Sequence, residues 1–136
     1  MATTKDTKYF GTVGRRKTAT ARVRITPASK MGYTINDKAF ADYFKTTELQ
    51  RTITDVFTKG KIEAKFTITA VVSGGGIASQ ADAIRHGISR ALVKFDEEVK
   101  GDLKKLGYLK RDPRSKERRK AGMAGKARKK KQWSKR

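Results

Sequence analysis

Three consecutive glycines, Gly74, Gly75 and Gly76, separate a segment that predicts a strand from a segment that predicts a helix. Backbone N–H groups at a helix N-terminus point at one spot, and the helix dipole favours negative charge there. The arrangement therefore predicts contact with a phosphate group. No Gly-Lys-Ser/Thr follows the glycines and no Gly-x-Gly-x-x-Gly spacing occurs, so a nucleotide-binding loop is not indicated. A tight turn in which a larger residue would clash is the alternative interpretation.

The single histidine, His86, is the second candidate for chemistry, because an imidazole can act as a general base near neutral pH. Asp82 lies one helical turn earlier, at a spacing that allows a His–Asp pair, although such i,i+4 pairs are common on helices. Arg85 is adjacent to His86, which favours a polar helix face directed at phosphate or at a neighbouring protein. We therefore expect no catalytic residue, and a phosphate-handling enzyme is the minor alternative.

Cationic side chains without acidic neighbours lie near the N-terminus. Arg15, Arg16 and Lys17 precede a segment in which Arg22 and Arg24 alternate with apolar residues. Alternation places the arginines on one face of a strand and the apolar side chains on the other, where a core can form. An ordinary solvated face is the usual meaning of such a pattern, but the absence of acidic residues favours contact with the phosphates of a nucleic acid.

The composition supports a nucleic-acid partner. The chain has 136 residues, with 34 Lys and Arg against 13 Asp and Glu, and a formal net charge of +21. A charge of this size on a short chain favours binding to a polyanion over a solvated surface. The chain has no cysteine and one histidine, so we expect no disulfide, no metal site and no cofactor. No apolar run of about 20 residues and no hydrophobic N-terminal signal segment occur, so a cytoplasmic location is the expectation.

The charge concentrates at the C-terminus. Residues 110–136 contain fourteen Lys and Arg against Asp112 and Glu117, and no Leu or Val follows Leu109. A segment of this kind cannot form a core of its own. We therefore predict a globular body over residues 1–109 and an extended basic arm over residues 110–136. The arm ends in QWSKR, in which Trp133 is expected to contact a base, a ribose or a neighbouring side chain.

The elements of the body follow from periodicity. Alternation predicts either two strands or one strand with a bend at Gly14 over residues 8–26, and further strands over 32–37 and 61–74. Helical spacing predicts a helix over residues 46–60 with a Thr47–Gln50 capping box, and a helix over 77–95 with an apolar stripe from Ile77 to Phe95. A short helix or turn after residue 36 and a last short helix within 96–109 are also expected.

Four segments in this order carry a family resemblance. They are GRRKTATARVRI, QADAIRHGISRAL after the glycines, GYLKRDPRSKERRKAG, and the terminal QWSKR. Together they resemble the universal small-subunit ribosomal protein nine family, of bacterial type, over nearly the whole chain. The resemblance implies an α+β fold, with a two-layer mixed β-sheet and helices on one face. It also implies a left-handed strand–helix–strand crossover, which is an exception to the usual handedness.

The resemblance implies a structural protein of the head of the small ribosomal subunit, located in cytoplasmic ribosomes. The implied partners are small-subunit rRNA, the anticodon stem-loop of the peptidyl-site tRNA and neighbouring ribosomal proteins of the head, with no membrane or small-molecule substrate. The residues expected at rRNA are Arg15, Arg16, Lys17, Arg22, Arg24, Gly74, Gly75, Gly76, Arg85, His86, Arg111, Arg114, Arg118, Arg119, Lys120, Arg128, Lys129 and Lys130. The residues expected at tRNA are Ser134, Lys135 and Arg136.

Two features distinguish the chain from the family and from other basic proteins. Bacterial members usually have Pro-Gln-Phe before the final Ser-Lys-Arg, where this chain has Lys131, Gln132 and Trp133. A histone-like protein that compacts nucleic acid is compatible with the composition alone. The basic residues of this chain are interleaved with the apolar residues of a folded body, however, which favours the ribosomal interpretation.

Overall fold

The computed structural model describes residues 8–132 and Ser134, and these residues form an α+β fold. The strands are β1 (Phe10–Arg16), β2 (Ala19–Pro27), β3 (Gly32–Ile35), β4 (Lys38–Ala39) and β5 (Phe66–Ser73). The helices are α1 (Phe40–Tyr43), α2 (Thr47–Lys59), α3 (Ile77–Phe95) and α4 (Lys100–Lys105), with a 3-10 turn at Glu97–Val99. The described strands form one sheet in the order β1-β2-β5-β3-β4, in which only β3 and β5 pair in parallel. The predicted α+β class with a mixed sheet is confirmed.

The sheet is covered by helices on one face because β2 and β5 alternate strictly. In β2 the side chains of Ala21, Val23 and Ile25 are buried, while Arg22 and Arg24 are exposed. The inward residues of β5 are buried in the same way, and they join residues of α2, α3 and α4 in one apolar core. Period-two alternation thus determines which face of the sheet folds onto the helices.

The start of β5 differs from the prediction. The alternating pattern predicts a strand from residue 61, but the ladder begins at Phe66, opposite Pro27 of β2. Lys61 has a positive φ of 54°, and the Ile62 amide donates to the Phe57 carbonyl, so this stretch completes the end of α2. Beyond the Pro27–Phe66 pair, one backbone bond remains, from the Ala28 amide to the Lys65 carbonyl at 3.0 Å.

Helix α3 approaches β1 so closely at Gly14 that no side chain fits there. A Cβ on Gly14 would lie 1.8 Å from the Ala83 carbonyl oxygen and 2.4 Å from the Gly87 nitrogen. The Thr12 hydroxyl, which is buried, donates to the Gly87 carbonyl at 2.6 Å. The predicted bend at Gly14 is therefore a point of close backbone packing within one continuous strand, where only a glycine fits.

The bounds of α3 agree with the prediction, but its apolar stripe is shorter. Ala81, Ile84, Ile88 and Leu92 are buried, whereas Ile77 at the first turn is 55% exposed. The ring of Phe95 is partly exposed and packs edge-to-face against Phe10 and Phe66 at the margin of the core. Ile77 is exposed because it directly follows the turn that joins β5 to α3, before the helix reaches the sheet.

Helix α2 connects the parallel strands β3 and β5 and buries Ile53 and Val56. Its predicted capping box is wrong. The N-cap residue is Thr46, whose side chain makes no capping bond, and the Gln50 side chain donates instead to the Phe44 carbonyl at 2.6 Å. Gln50 thus fixes the preceding backbone from within the helix, a tertiary contact that the sequence spacing does not reveal.

Helix α4 ends in a turn that directs the chain back toward α3. The Tyr108 amide donates to the Leu103 carbonyl and the Gly107 amide to the Lys104 carbonyl, with Gly107 at a φ of +78°. This pair of bonds around a left-handed glycine is a Schellman motif. Leu103 is buried, which anchors the predicted last short helix. Within the described residues, no helix has both the length and the apolar composition that crossing a membrane requires.

Candidate nucleic-acid interface

A polar cleft lies where the end of β1, the first half of α3 and the segment after α4 meet. Its volume is about 150 Å³. We call it the arginine cleft, because six of the side chains around it are cationic. The residues around it are Arg15, Arg16, Asp82, Arg85, His86, Gly107, Tyr108, Lys110, Arg111, Asp112 and Arg114.

Arg16 is at the inner side of the cleft, and only 15% of its side chain is exposed. Its guanidinium lies 3.6 Å from the Asp82 carboxylate and 3.3 Å from the Asp112 carboxylate. It also donates to the Arg114 carbonyl at 2.9 Å. One guanidinium thus connects α3 to the segment after α4, so its described contacts are structural. Its predicted contact with rRNA stays a prediction.

His86 is held between two backbone groups, not beside a carboxylate. Its Nδ1 accepts from the Arg15 amide at 3.4 Å, and its Nε2 lies 3.3 Å from the Leu109 carbonyl oxygen. These contacts require a neutral ring with the proton on Nε2. Burial lowers the pKa of His86, the bond to Leu109 opposes this effect, and the nearby guanidinium charges lower the pKa further. A neutral imidazole is therefore the stable form in the folded protein near neutral pH.

The His–Asp pair that the spacing allows is absent from the described ion pairs and hydrogen bonds. Asp82 pairs instead with Arg16 and, at 3.5 Å, with Arg85. The Arg85 guanidinium also lies 4.9 Å from the centre of the Tyr108 ring. Arg85 therefore helps to hold the chain after α4 against α3, through a cation–π contact as well as an ion pair. This arrangement provides no activated base.

A second basic surface is the open face of the sheet. Arg22 lies opposite Val13 and Val71, and Arg24 lies opposite Gly11 and Thr69. The Arg24 guanidinium lies 4.8 Å from the centre of the Tyr9 ring. No carboxylate within salt-bridge distance of either arginine occurs in the part of the chain that the structure describes. Val71 is 58% exposed, so the face combines free charge with apolar surface.

The glycine triplet forms the turn between β5 and α3. Gly74 and Gly75 have positive φ values of 75° and 64°, and a Cβ on Gly74 would lie 2.5 Å from the Thr18 carbonyl oxygen. The Gln80 side chain donates to the Gly74 carbonyl at 3.1 Å. Gly76 is the N-cap of α3 and provides no capping side chain. The tight-turn interpretation explains Gly74, while contact of the exposed triplet with rRNA stays a prediction.

The segment after α4 has no helix or strand over residues 110–120. Within it, Asp112 forms a two-pronged pair with Arg114 at 2.8–3.1 Å, and these bonds hold the pKa of Asp112 well below its usual range. Further along, the Lys120 amide donates to the Lys126 carbonyl, and the Arg128 guanidinium lies 2.9 Å from the Glu117 carboxylate. The chain therefore reverses its direction between Lys120 and Lys126.

Most of the cations predicted to bind RNA are exposed. Exposed residues of this set are Arg15, Lys17, Arg22, Arg24, Arg111, Arg114, Arg118, Arg119, Lys120, Arg128, Lys129 and Lys130. Ser134 is exposed as well, while Trp133, Lys135 and Arg136 lie outside the described residues. The structure brings Arg15, Arg85, His86, Arg111 and Arg114 together around the cleft, whereas Arg22 and Arg24 are not among the residues around it.

Sequence reasoning missed several contributors. Lys110 and Tyr108 are at the cleft, and so is Asp112, which the sequence indicates only as a charge in the arm. Arg90 and Lys94 of α3 donate to the carbonyls of Val13 and Gly11 and so hold the edge strand β1. Their spacing of one helical turn on a helix with basic residues was the available signal. The pairing of Asp82 with Arg16 had no signal, because the two are far apart in the chain.

The comparison with known proteins decides the family. The family model described as Ribosomal protein S9/S16 matches residues 14–136. The chain is also similar to the small ribosomal subunit protein uS9 of Desulfovibrio desulfuricans, with 47% identity over 127 residues, covering 93% of this chain and 95% of that protein. The chain belongs to the ribosomal protein S9/S16 family.

Membership in the S9/S16 family confirms the predicted resemblance and identifies a ribosomal protein of the small subunit, located in the ribosomes of the cytoplasm. It agrees with a site made of cations and backbone turns. In the described part of the chain, no group of three His, Asp or Glu side chains is placed to hold a metal ion. The individual contacts with rRNA and tRNA remain predictions.

Proposed function

We propose that this protein is a structural constituent of the head of the small ribosomal subunit. Its body binds small-subunit rRNA, and its C-terminal tail contacts the anticodon stem-loop of the peptidyl-site tRNA. The protein acts by binding and not by catalysis, and it requires no cofactor. Its other partners are neighbouring ribosomal proteins of the head.

The observation that supports rRNA binding best is the open face of the sheet. Arg22 and Arg24 extend from a rigid strand, and each has only apolar or hydroxyl-bearing neighbours across the register. Guanidinium groups fixed on a strand lose little freedom when they bind, and they form paired hydrogen bonds with phosphate. Such contacts position an RNA backbone without reading its sequence.

The two proposed functions, rRNA binding and tRNA contact, are assigned to two segments that differ in charge. Residues 1–109 form the body, and residues 110–136 form the arm. The arm begins at the arginine cleft, where Asp112 and Arg114 contact Arg16, and it would extend to the tRNA in the assembled subunit. The arm has no Leu or Val and many exposed cations, so rRNA phosphates would neutralise it as the subunit assembles. Ser134, Lys135 and Arg136 would contact tRNA phosphates, which are common to all tRNAs. Trp133 would pack against a base or a ribose.

The crossover from β3 through α2 to β5 is proposed to be left-handed, as the family resemblance implies. The parallel pairing of β3 with β5 is compatible with this proposal, since a crossover connection joins parallel neighbours. An experimental structure in which this connection turns in the right-handed sense would contradict the proposal.

Ultraviolet cross-linking of the tagged protein in growing cells, followed by sequencing of the attached nucleic acid, tests the function. We expect a few sharp sites in small-subunit rRNA and tRNAs cross-linked in the anticodon stem-loop. Sharp rRNA sites without tRNA would remove the tail contact from the proposal, and the arm would then act only in subunit assembly. Diffuse recovery of DNA and unrelated RNA would replace the proposal with a general compacting protein.

Deletion of Ser134–Arg136 tests the tail separately. We expect weaker tRNA binding in the peptidyl site of purified subunits, while incorporation of the protein into subunits is unchanged. The physical reason is that the tail loses two cations that would face tRNA phosphates. The matched control replaces Lys129 and Lys130 by Gln, which removes the same charge without shortening the chain. Equal tRNA retention by the deletion and the unmodified protein would contradict the tail contact.

A further inference from the structure

The arginine cleft contains more positive charge than the protein itself neutralises. The cations around it are Arg15, Arg16, Arg85, Lys110, Arg111 and Arg114, while Asp82 and Asp112 are its two carboxylates. Three arginines already share these carboxylates. Among the described residues, no carboxylate lies within 4.0 Å of the side chains of Arg15, Lys110 and Arg111. The cleft therefore keeps a net positive charge and attracts an anion.

The walls of the cleft are fixed before any ligand arrives. Arg16 donates a hydrogen bond to the Arg114 carbonyl, and the His86 ring donates one to the Leu109 carbonyl. The Arg85 guanidinium packs on the Tyr108 ring. These three contacts attach the segment after α4 to β1 and to α3. A site whose geometry is already formed spends little binding free energy on ordering its own side chains.

The size and the donors of the cleft select the ligand. A cavity of about 150 Å³ can accommodate a molecule as large as benzene, so one phosphate group fits the measured volume. Guanidinium groups match the tetrahedral oxygens of phosphate with paired hydrogen bonds. The exposed cations of residues 116–120 continue the positive surface away from the cleft, as the binding of a polymeric anion requires.

We propose that the arginine cleft binds one phosphate group of an RNA backbone. This inference rests on the proposed binding of rRNA, because it identifies the pocket that receives one of the phosphates. Arg15, Lys110 and Arg111 neutralise the phosphate, while Arg16, Asp82 and Asp112 act as positioning residues that keep the cleft in shape.

His86 provides a direct reporter, because it is the only histidine of the chain and lies at the cleft. The experiment records the NMR signals of the His86 ring in the full-length protein at neutral pH. Sodium phosphate replaces sodium chloride at constant ionic strength, and sodium acetate replaces it in a parallel series. A third series adds a short RNA without terminal phosphates, so that a backbone phosphate is distinguished from free phosphate.

We expect phosphate to shift the His86 signals with saturation, acetate to shift them without saturation, and the RNA to act at lower concentration than phosphate. Arg111→Gln should weaken phosphate binding by about threefold, as expected for an exposed charge pair. Arg51→Gln removes an exposed cation of α2, which is not among the residues around the cleft, and should leave the affinity unchanged. Because Arg111 is exposed and outside any helix or strand, its substitution should not prevent folding.

The result that overturns the inference is a His86 response that is equal in all salts, or equal weakening by Arg111→Gln and Arg51→Gln. Saturation by phosphate but not by RNA would also overturn it, since the site would then serve a free phosphate. Failure of the proposed function has a different signature. In that case the unmodified protein would bind small-subunit rRNA no better than unrelated RNA, whatever phosphate does to His86.

Discussion

The two faces of the sheet differ in what their side chains contact. On the covered face, Thr12 and Gly14 contact the backbone of α3 directly. On the open face, Arg22 lies opposite Val71 and Arg24 opposite Thr69, and neither contacts an acidic group among the described residues. One alternating sequence therefore produces a folding surface and a binding surface from the same strands. Substitutions on the two faces should have separable effects on stability and on RNA binding.

The largest expected effect is on the covered face. Gly14→Ala would place a Cβ 1.8 Å from the Ala83 carbonyl oxygen, so β1 and α3 must separate. We expect a loss of about 3 kcal/mol or more in the free energy of unfolding, measured by chemical denaturation. Gly32→Ala is the matched control, because a Cβ at Gly32 meets nothing within 4 Å. Equal stability of the two variants would contradict the close packing.

A smaller effect is expected for Arg16, which is among the arginines predicted to bind RNA but makes structural contacts. Arg16→Met removes two ion pairs and the bond to the Arg114 carbonyl. We expect a loss of about 2 kcal/mol in unfolding free energy, because carboxylates at the cleft lose a charged donor. Faster protease cleavage after residue 110 should accompany this loss. A protein with unchanged unfolding and cleavage would show that Arg16 does not hold the segment.

Replacement of Arg22 and Arg24 by Gln tests the open face. Stability should change by less than about 0.5 kcal/mol, because both side chains are exposed. In a plot of the logarithm of RNA affinity against the logarithm of salt concentration, the slope should become less steep by about 2. Each phosphate that the variant no longer neutralises accounts for about 1 of this change. The control pair, Lys45→Gln and Arg51→Gln, removes the same charge from the region of α2. The open face would lose its proposed role if both pairs changed the salt dependence equally.

The smallest effect concerns the pH dependence of the Asp112–Arg114 interaction. The hydrogen bonds from Arg114 lower the pKa of Asp112 in the folded protein. The stabilisation is therefore complete above the pKa of an unfolded Asp, about 4, decreases below it, and is lost as the pH falls through the lower pKa of the folded protein. The amide signal of Arg114, which donates to Asp112, should report this change in an NMR titration. In Asp112→Asn the same signal should not titrate, and a titrating signal there would assign the change to another group.

Several elements could be predicted from local pattern alone. The bounds of α3 at Ile77–Phe95 follow from helical spacing between a glycine triplet and an acidic run, and strand structure over residues 8–26 follows from alternation. The turn between β1 and β2 at Lys17 and Thr18 was not predicted. The start of β5 could not be predicted, because alternation continued through residues 61–65. There the conformation of Lys61 and the end of α2 override the pattern. Local periodicity identifies an element, while its ends depend on neighbouring chain segments.

The candidate site divides in the same way. The sequence by itself determined that the chain is basic, that its arginines alternate with a core-forming row, and that its C-terminal segment cannot form a core. Only the tertiary structure decided which arginines form ion pairs. Arg16 and Arg22 are the same residue type on neighbouring strands, so the sequence alone does not distinguish them. Arg16 meets Asp82 and Asp112 across the fold, and Arg22 meets none within salt-bridge distance among the described residues. Ion pairs act over a few ångströms, so they depend on contacts between distant segments that the order of residues along the chain does not contain.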